Sequence, residues 1–422
     1  MGITTQNIGL AIGWLLVGWV GLQGLAFTVR AVRRRAHWSR DFELERADFC
    51  RRVEATARAA RASKSITEWA GWRPFRVAAI VDEASDIKSF YFTPVDGRPL
   101  LPFAPGQYLT FRLPLHGREA PLVRCYSLSD RPRQDYYRAT IKRISATPDR
   151  PDAMPGRGSN YFHDRVRVGE VLEARAPGGT FLVDPLDKES VVLIGAGIGV
   201  TPLVSMLETY IHSGRRRDVY AIFGFRNSRE QPFKDHLKRL AEANPWIQLH
   251  VSYSAPLPED VLYKDYNHHG RLTIDRLRTI LPSNNYHFYV CGPAALMESL
   301  VPALREWGVP ELHVHFEAFG PASVKSASAA GAQGQQVEPC EVRFERSDRT
   351  AMWNGSFASL LEFGEAAGIV MPSGCRAGSC GECMLAIRGG SVRTIKKPSI
   401  PVPTGHCLTC ISAPAGELVL DA

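Results

Sequence analysis

The sequence predicts a multidomain chain: an N-terminal transmembrane helix, an antiparallel β-barrel, an α/β domain on a parallel sheet, and a small terminal module built round a cysteine loop. Three observations carry this. Residues 8–29, IGLAIGWLLVGWVGLQGLAFTV, run 22 positions without a charged side chain, and about 20 apolar residues suffice to cross a bilayer as a helix. From Trp72 short alternating runs broken by Pro and Gly give way, past residue 187, to strands alternating with helical stretches, the patterns of a barrel and of a parallel sheet respectively. Five of the nine cysteines fall in the last 48 residues.

Composition excludes some classes. Hydrophobic content of 45% and charge of 22% are those of a folded globular chain. The net charge of +8 is mostly local: residues 1–40 hold Arg30, Arg33, Arg34, Arg35 and Arg40 and no acid, leaving only +3 elsewhere. That argues against a nucleic-acid surface. The arginines follow the apolar run, whereas a cleaved signal peptide carries its charge before it. Residues 1–40 therefore read as an uncleaved single-pass anchor with its basic flank, and the body of the protein in the cytoplasm. Scattered single thiols with one cluster suit a reducing compartment and a metal better than a disulfide framework.

The elements follow in order. Residues 41–71, alanine- and charge-rich without proline over most of their length, read as a helical stalk. Residues 72–187, with FRVAAIVDEASDIKSFYFTP, QYLTFRLP and YYRATIKRIS, read as the antiparallel barrel, and 188–320 as the α/β domain. Residues 321–337, rich in Ala, Ser, Gly and Gln, read as a flexible linker, and 338–422 as the terminal module.

Cys375, Cys380 and Cys383 give C-x4-C-x2-C, the spacing of a plant-type 2Fe–2S site completed by a distant fourth cysteine. Thiolates are soft ligands suited to such a cluster, and Gly378 and Gly381 let the loop turn sharply around it. Cys380/Cys383 with Cys407/Cys410 also make a zinc-ribbon pattern, but its gap of 23 residues is long and leaves Cys375 unexplained. The fourth ligand is Cys407 or Cys410.

In the barrel, RCYSLSD places Arg124 and Tyr126 on one side of an extended strand and Ser127 on the other. Arginine suits a phosphate, tyrosine an aromatic ring, and serine a hydrogen bond to that ring's reactive edge. Further on, PGRGSNYFHD puts Ser159 where an N-cap would open a short helix and offer free amides to a pyrophosphate. VVLIGAGIGVTPLVSMLETY reads as strand, glycine turn (Gly195, Gly197, Gly199) and helix, with Thr201 as N-cap and Pro202 as the first helical residue. YVCGPAALM ends a strand at Cys291 and Gly292. Past VYAIFGF, Arg226 and Arg229 offer two cations for a 2′-phosphate, which leaves NADH or NADPH open. His313 and His315 alternate with apolar residues and read as the polar face of a strand rather than as ligands.

In this order the motifs RCYSLSD, YYRATIKR, GSNYFHD and VGEVLEARAPGGTF resemble the reductase half of flavohaemoglobins and the wider ferredoxin–NADP reductase superfamily, over roughly residues 75–320. The terminal module resembles a plant-type ferredoxin, which implies a β-grasp fold. The resemblance implies that Arg124, Tyr126 and Ser127 hold a flavin, FAD in the flavohaemoglobin type, with Ser159 and Asn160 near its pyrophosphate. The phthalate-dioxygenase-reductase branch shares the modules but uses FMN. It implies a pyridine-nucleotide loop at GIGVTP with Thr201 near the nicotinamide, Cys291 and Gly292 of CGP beside it, and Glu317 and Phe319 of HFEAFGP over the flavin. CLTCIS resembles the ferredoxin ending that makes Cys410 the fourth ligand. The expected function is electron transfer from NAD(P)H through FAD and a 2Fe–2S cluster to a partner oxygenase, hydroxylase or desaturase. A low-turnover redox sensor is the alternative.

Overall fold

A computed structural model describes residues 69, 71–114, 121–145, 156–184, 189–214, 216–319, 338–378, 380–396, 398 and 400–422. The expected anchor, nearly all of the stalk and the linker lie outside the described residues. No helix among the described residues is long and apolar enough to cross a membrane.

The barrel begins with β1 (Arg73–Ala84) and β2 (Ile87–Pro94), followed by β3 (Tyr108–Leu113), β4 (Leu122–Ser127), β5 (Tyr137–Lys142), the short helix α1 (Arg157–Asp164) and β6 (Val171–Gly178). Alternation drives it: Phe75 and Val77 of β1 are buried while Arg76 between them is exposed. The strand order is β4-β3-β6-β1-β2-β5, antiparallel throughout, and a bridge between Leu128 and Ala139 ties the β4 end to β5. Phe75, Phe90, Phe92, Phe111 and Phe162 fill the interior with fully buried rings.

Next come β7 (Val191–Ala196), α2 (Val200–His212), β8 (Val219–Phe225), α3 (Lys234–Ala243), β9 (Ile247–Tyr253), β10 (His268–His269), α4 (Ile274–Ile280), β11 (His287–Gly292), α5 (Ala294–Glu306) and β12 (Val314–Ala318). The sheet is parallel in the order β10-β9-β8-β7-β11-β12. Its strands read as continuous apolar runs because both faces are covered, and separate cores form on either side. The strand order reverses between β7 and β11, and ligands of open α/β sheets sit beyond the strand ends at such a point.

The terminal module comprises β13 (Cys340–Phe344), β14 (Arg349–Trp353), α6 (Leu360–Ala366), β15 (Met384–Thr394), β16 (His406–Leu408) and β17 (Ser412–Leu420). The order β14-β13-β17-β15-β16, with β13 and β17 parallel and the other pairs antiparallel, is a mixed sheet carrying one helix.

Barrel and α/β domain share a buried ionic joint. Arg138 of β5 lies 3.4 Å from Glu208 of α2, which also contacts His236 at 2.6 Å. Asp130 accepts from Tyr136 Oη at 2.8 Å and Arg133 Nε at 3.2 Å, and Ser205 Oγ donates to the Asp130 carbonyl at 2.6 Å. Burial pushes Asp130 upward, but the hydrogen bond with Glu208 and the charges of Arg138 and Arg133 outweigh it and hold the carboxyl at about 2. A depressed folded value stabilises above the unfolded value near 3.8 and is lost as pH falls toward 2. Arg138→Ala removes the buried cation from this joint, so it is expected to cost about 3–5 kcal/mol in a denaturant melt.

Candidate functional site

The cysteine loop sits between α6 and β15. Gly378 and Gly381 have φ of +77° and +78°, the left-handed turns in which glycine is unstrained. The amide of Cys375 donates to Cys380 Sγ at 3.2 Å, and those of Cys380 and Ala377 donate to Cys375 Sγ at 3.3 and 3.4 Å. Cys383 Sγ lies 3.1 Å from Cys410 Sγ. Four thiols thus converge, from Cys375, Cys380, Cys383 and Cys410, with backbone N–H groups aimed at sulfur. That donor set fits a thiolate-bound iron–sulfur cluster. Cys407 packs in the same core as a buried thiol, which burial, then Cys383, pushes up to about 12.

The loop packs on the barrel. Arg175 of β6 donates to the Cys380 carbonyl at 2.6 Å and pairs with Glu382 at 2.6 Å, while its guanidinium and that of Arg112 lie 4.6 and 4.2 Å from the Trp72 ring. Cys125 of β4 bonds to Thr110 Oγ1 at 3.2 Å, and its hydrogen bond with Cys375 and its burial push its thiol well above the usual range.

A cavity of about 820 Å³ opens where the three modules meet. Arg124, Tyr126, Ser127, Ser159, Thr201, Glu317 and Phe319 all line it, and so do Gly374, Cys375 and Arg376 of the cysteine loop. Ser127 lines the cavity together with Arg124, Cys125 and Tyr126 instead of turning away, so this end of β4 does not keep strict alternation. A Cβ on Gly158 would come within 2.7 Å of Arg124 Cγ and 2.8 Å of Tyr126 Oη, so only glycine leaves this cradle open. Lys142, Arg157 and Lys396 add positive charge to the lining. An aromatic, cationic cavity with a glycine-floored cradle fits a flavin and its phosphates.

Two expected caps are corrected. Gly156 is the N-cap of α1 and Ser159 its third residue; Ser159 Oγ donates to the Gly156 carbonyl at 3.1 Å and accepts from the Ile144 amide at 3.2 Å. The Asn160 amide is spent on the Gly156 carbonyl at 2.9 Å, and Asn160 is not among the lining residues. Likewise Gly197–Gly199 form a 3-10 turn, α2 starts at Val200, and Gly199 is its N-cap. Thr201 and Pro202 therefore lie inside the first turn, with Thr201 Oγ1 donating to the Ile198 carbonyl at 2.9 Å. In both places the helix starts earlier than the hydroxyl suggests because a glycine supplies the entry.

Gly195, Cys291 and Glu317 lie side by side across β7, β11 and β12, at the point where the sheet order reverses. A Cβ on Gly199 would fall 2.4 Å from the Cys291 carbonyl oxygen, so the glycine turn touches the CGP segment through bare backbone. Cys291 is fully buried, and burial, then the Glu317 carboxyl, push its thiol well up. Glu317 Oε2 is buried with no hydrogen-bond partner. Burial raises its pKa to about 7 against an opposing pull from Lys396. A buried orphaned acceptor at the cavity wall fits a ligand group that the protein alone does not supply. Arg226 and Arg229 are engaged by Glu230 at 3.9 Å and Glu259 at 2.7 Å.

An aromatic, cationic cavity in a barrel, a glycine turn at the reversal of a parallel sheet, and four converging thiols define a flavin- and pyridine-nucleotide-dependent oxidoreductase with an iron–sulfur module. Residues 193–301 match the oxidoreductase NAD-binding domain family, and residues 345–415 the 2Fe-2S iron-sulfur cluster binding domain family. The flavohemoprotein of Bacillus cereus is 38% identical over 256 residues, covering 60% of this chain and 63% of its own length. That of Rhodopirellula baltica is 40% identical over 255 residues, covering 60% and 62%. The chain thus spans less than two thirds of the length of these curated relatives. Among solved structures, the flavohem-like FAD/NAD binding domain of a nitric oxide dioxygenase from Vibrio cholerae is 31% identical with a TM-score of 0.52, covering 59% of this chain and 99% of its own. Phthalate dioxygenase reductase, a modular structure for electron transfer from pyridine nucleotides to 2Fe–2S, is 27% identical with a TM-score of 0.51, covering 83% and 98%. The chain belongs to the ferredoxin–NADP reductase superfamily and carries a C-terminal 2Fe–2S ferredoxin domain.

Proposed function

We propose that this protein is the reductase component of an oxygenase, hydroxylase or desaturase system, carrying electrons from NAD(P)H through FAD and the 2Fe–2S centre to a separate partner. The observation that carries the reading is that Cys375, a cluster thiol, lines the same cavity as Arg124, Tyr126 and Ser127. Bound FAD supplies the conversion between a two-electron hydride donor and a one-electron cluster.

The chain's residues do the rest. Arg124 holds phosphate, Tyr126 packs on the ring, Ser127 donates to its reactive edge, and Phe319 covers it. Ser159 holds the turn at the pyrophosphate, with Asn160 beside it in the helix but off the cavity wall. Gly195, Gly197 and Gly199 bring backbone up to the dinucleotide, and Thr201, Cys291 and Gly292 shape the nicotinamide end. Glu317 holds or accepts a proton at its carboxylate. Gly199→Ala drives a methyl into the Cys291 carbonyl, so it is expected to lower kcat/KM for NAD(P)H by about 100-fold while flavin content stays intact.

Residues 1–40 tether the protein to the cytoplasmic membrane by one span, with the three modules on the cytoplasmic side. Deleting them is expected to move the protein from the membrane fraction to the supernatant with turnover retained; retention at the membrane would contradict the tether. The function itself is tested by NAD(P)H–cytochrome c turnover of the holoprotein: several turnovers per second or more support a reductase, and a far slower rate with both cofactors bound contradicts it.

A further inference from the structure

Four residues from three distant segments meet at the N-terminal end of the parallel sheet. Glu189 lies two positions before β7, His287 opens β11, His313 immediately precedes β12, and His315 is its second residue. One ligand atom each from Glu189, His287 and His313 lies within 4.8 Å of the other two. The rings of His287 and His313 stack with centroids 4.1 Å apart, and His287 Nε2 contacts a Glu189 carboxylate oxygen. His313 Nδ1 is buried with no hydrogen-bond partner, a donor or acceptor that the protein itself does not satisfy.

The second nitrogen of His287 is also engaged. Its Nδ1 lies 3.2 Å from His315 Nε2. That nitrogen can accept the His287 Nδ1–H. That bond would fix the tautomer that leaves the His287 Nε2 lone pair facing Glu189, where an ion would replace their direct contact, and it is the outer hydrogen bond that metal-ligating histidines use. His315 is itself held by stacking on Tyr289, at 4.5 Å and 16°. The expected polar strand face is therefore a packed imidazole stack. We propose that Glu189, His287 and His313 form a binding site for one divalent cation of the zinc type, with His315 as the positioning residue.

Two imidazoles and a carboxylate are a donor set for zinc with a further position open to water. The His287 side chain is 19% exposed and that of Glu189 58%, so an ion can reach the site from solvent. His315 also lines the flavin cavity, which places the ion one side chain from it.

The test uses holoprotein with flavin and cluster loaded, so that the terminal cysteines are occupied. Calorimetric titration with Zn2+ is expected to show one saturable equivalent. Glu189→Gln and His287→Gln, each checked for unchanged flavin absorption and Tm, are expected to weaken it by roughly tenfold or more. If His287→Gln does not fold, the exposed Glu189→Gln still decides. Co2+ as a probe should give a visible spectrum of nitrogen and oxygen ligation without thiolate-to-metal charge transfer. No saturable uptake, equal uptake by the variants, or a thiolate spectrum would overturn the proposal.

Discussion

Cys410→Ser is expected to remove the cluster's visible absorption and to cut NAD(P)H–cytochrome c turnover by roughly 100-fold or more, since changes in a metal's outer shell alone cost 10–100-fold. Reduction of the flavin by NAD(P)H should proceed as in the parent protein. Cys407→Ser is the matched control. Its thiol is equally buried, yet it is Cys410 Sγ that stands 3.1 Å from Cys383 Sγ, so the Cys407 variant should keep both absorption and turnover. Both changes have nearly the same volume and polarity. A difference between them reports ligation and not packing. Equal losses would mean that the two cysteines serve the core alike.

Glu317→Gln carries the second large effect. The wild-type carboxyl, raised to about 7 by burial, gains a proton-accepting form as pH rises through that value. Electron exit to a one-electron acceptor should therefore rise with pH and level off above about 7 in the parent. In the Gln variant the step in the profile should vanish and the plateau should fall by about 100-fold, the usual lower scale of acid–base assistance. Stability moves oppositely. A folded pKa raised above the ordinary value of 4.5 contributes stability that is full below the unfolded value and is lost as pH rises through about 7. Relative to the Glu317→Gln variant, the wild-type apoprotein should thus lose on the order of 3 kcal/mol between acid and alkaline pH. A Gln variant with the parent's pH profile would remove Glu317 from proton handling.

Much of the site is legible in the sequence because its signals are local. C-x4-C-x2-C, RCYS, GIGVTP and CGP each sit on one loop or strand end, where neighbours in sequence fix the geometry. Arg124, Tyr126, Ser127, Ser159, Thr201, Glu317 and Phe319 do reach one cavity. The helix starts differ from expectation for a physical reason. Ser159 and Thr201 look like caps, but Gly156 and Gly199 take the entry position and leave the hydroxyls to bond back to Gly156 and Ile198.

What the sequence hides depends on contacts across the chain. No spacing announces that Cys125 faces Cys375, 250 residues later, or that Arg138 is clasped by Glu208. The hint at the first is a cysteine inside the flavin-holding motif. The histidines, taken one strand at a time, suggest a solvated face. Register pairs Tyr289 with His315 and brings His287 and Glu189 alongside, and that is information a strand does not carry alone.

One electron path crosses the shared cavity, and the proposed activity depends on it. Its most direct test is an anaerobic titration of holoprotein with NAD(P)H, followed by flavin absorption and by the paramagnetic signal of the reduced cluster. The expected result is reduction of both centres by the nucleotide, with the flavin bleaching first and the cluster signal absent in Cys410→Ser. A flavin that is reduced while an intact iron–sulfur cluster stays oxidised, or a terminal module that holds zinc, would contradict it.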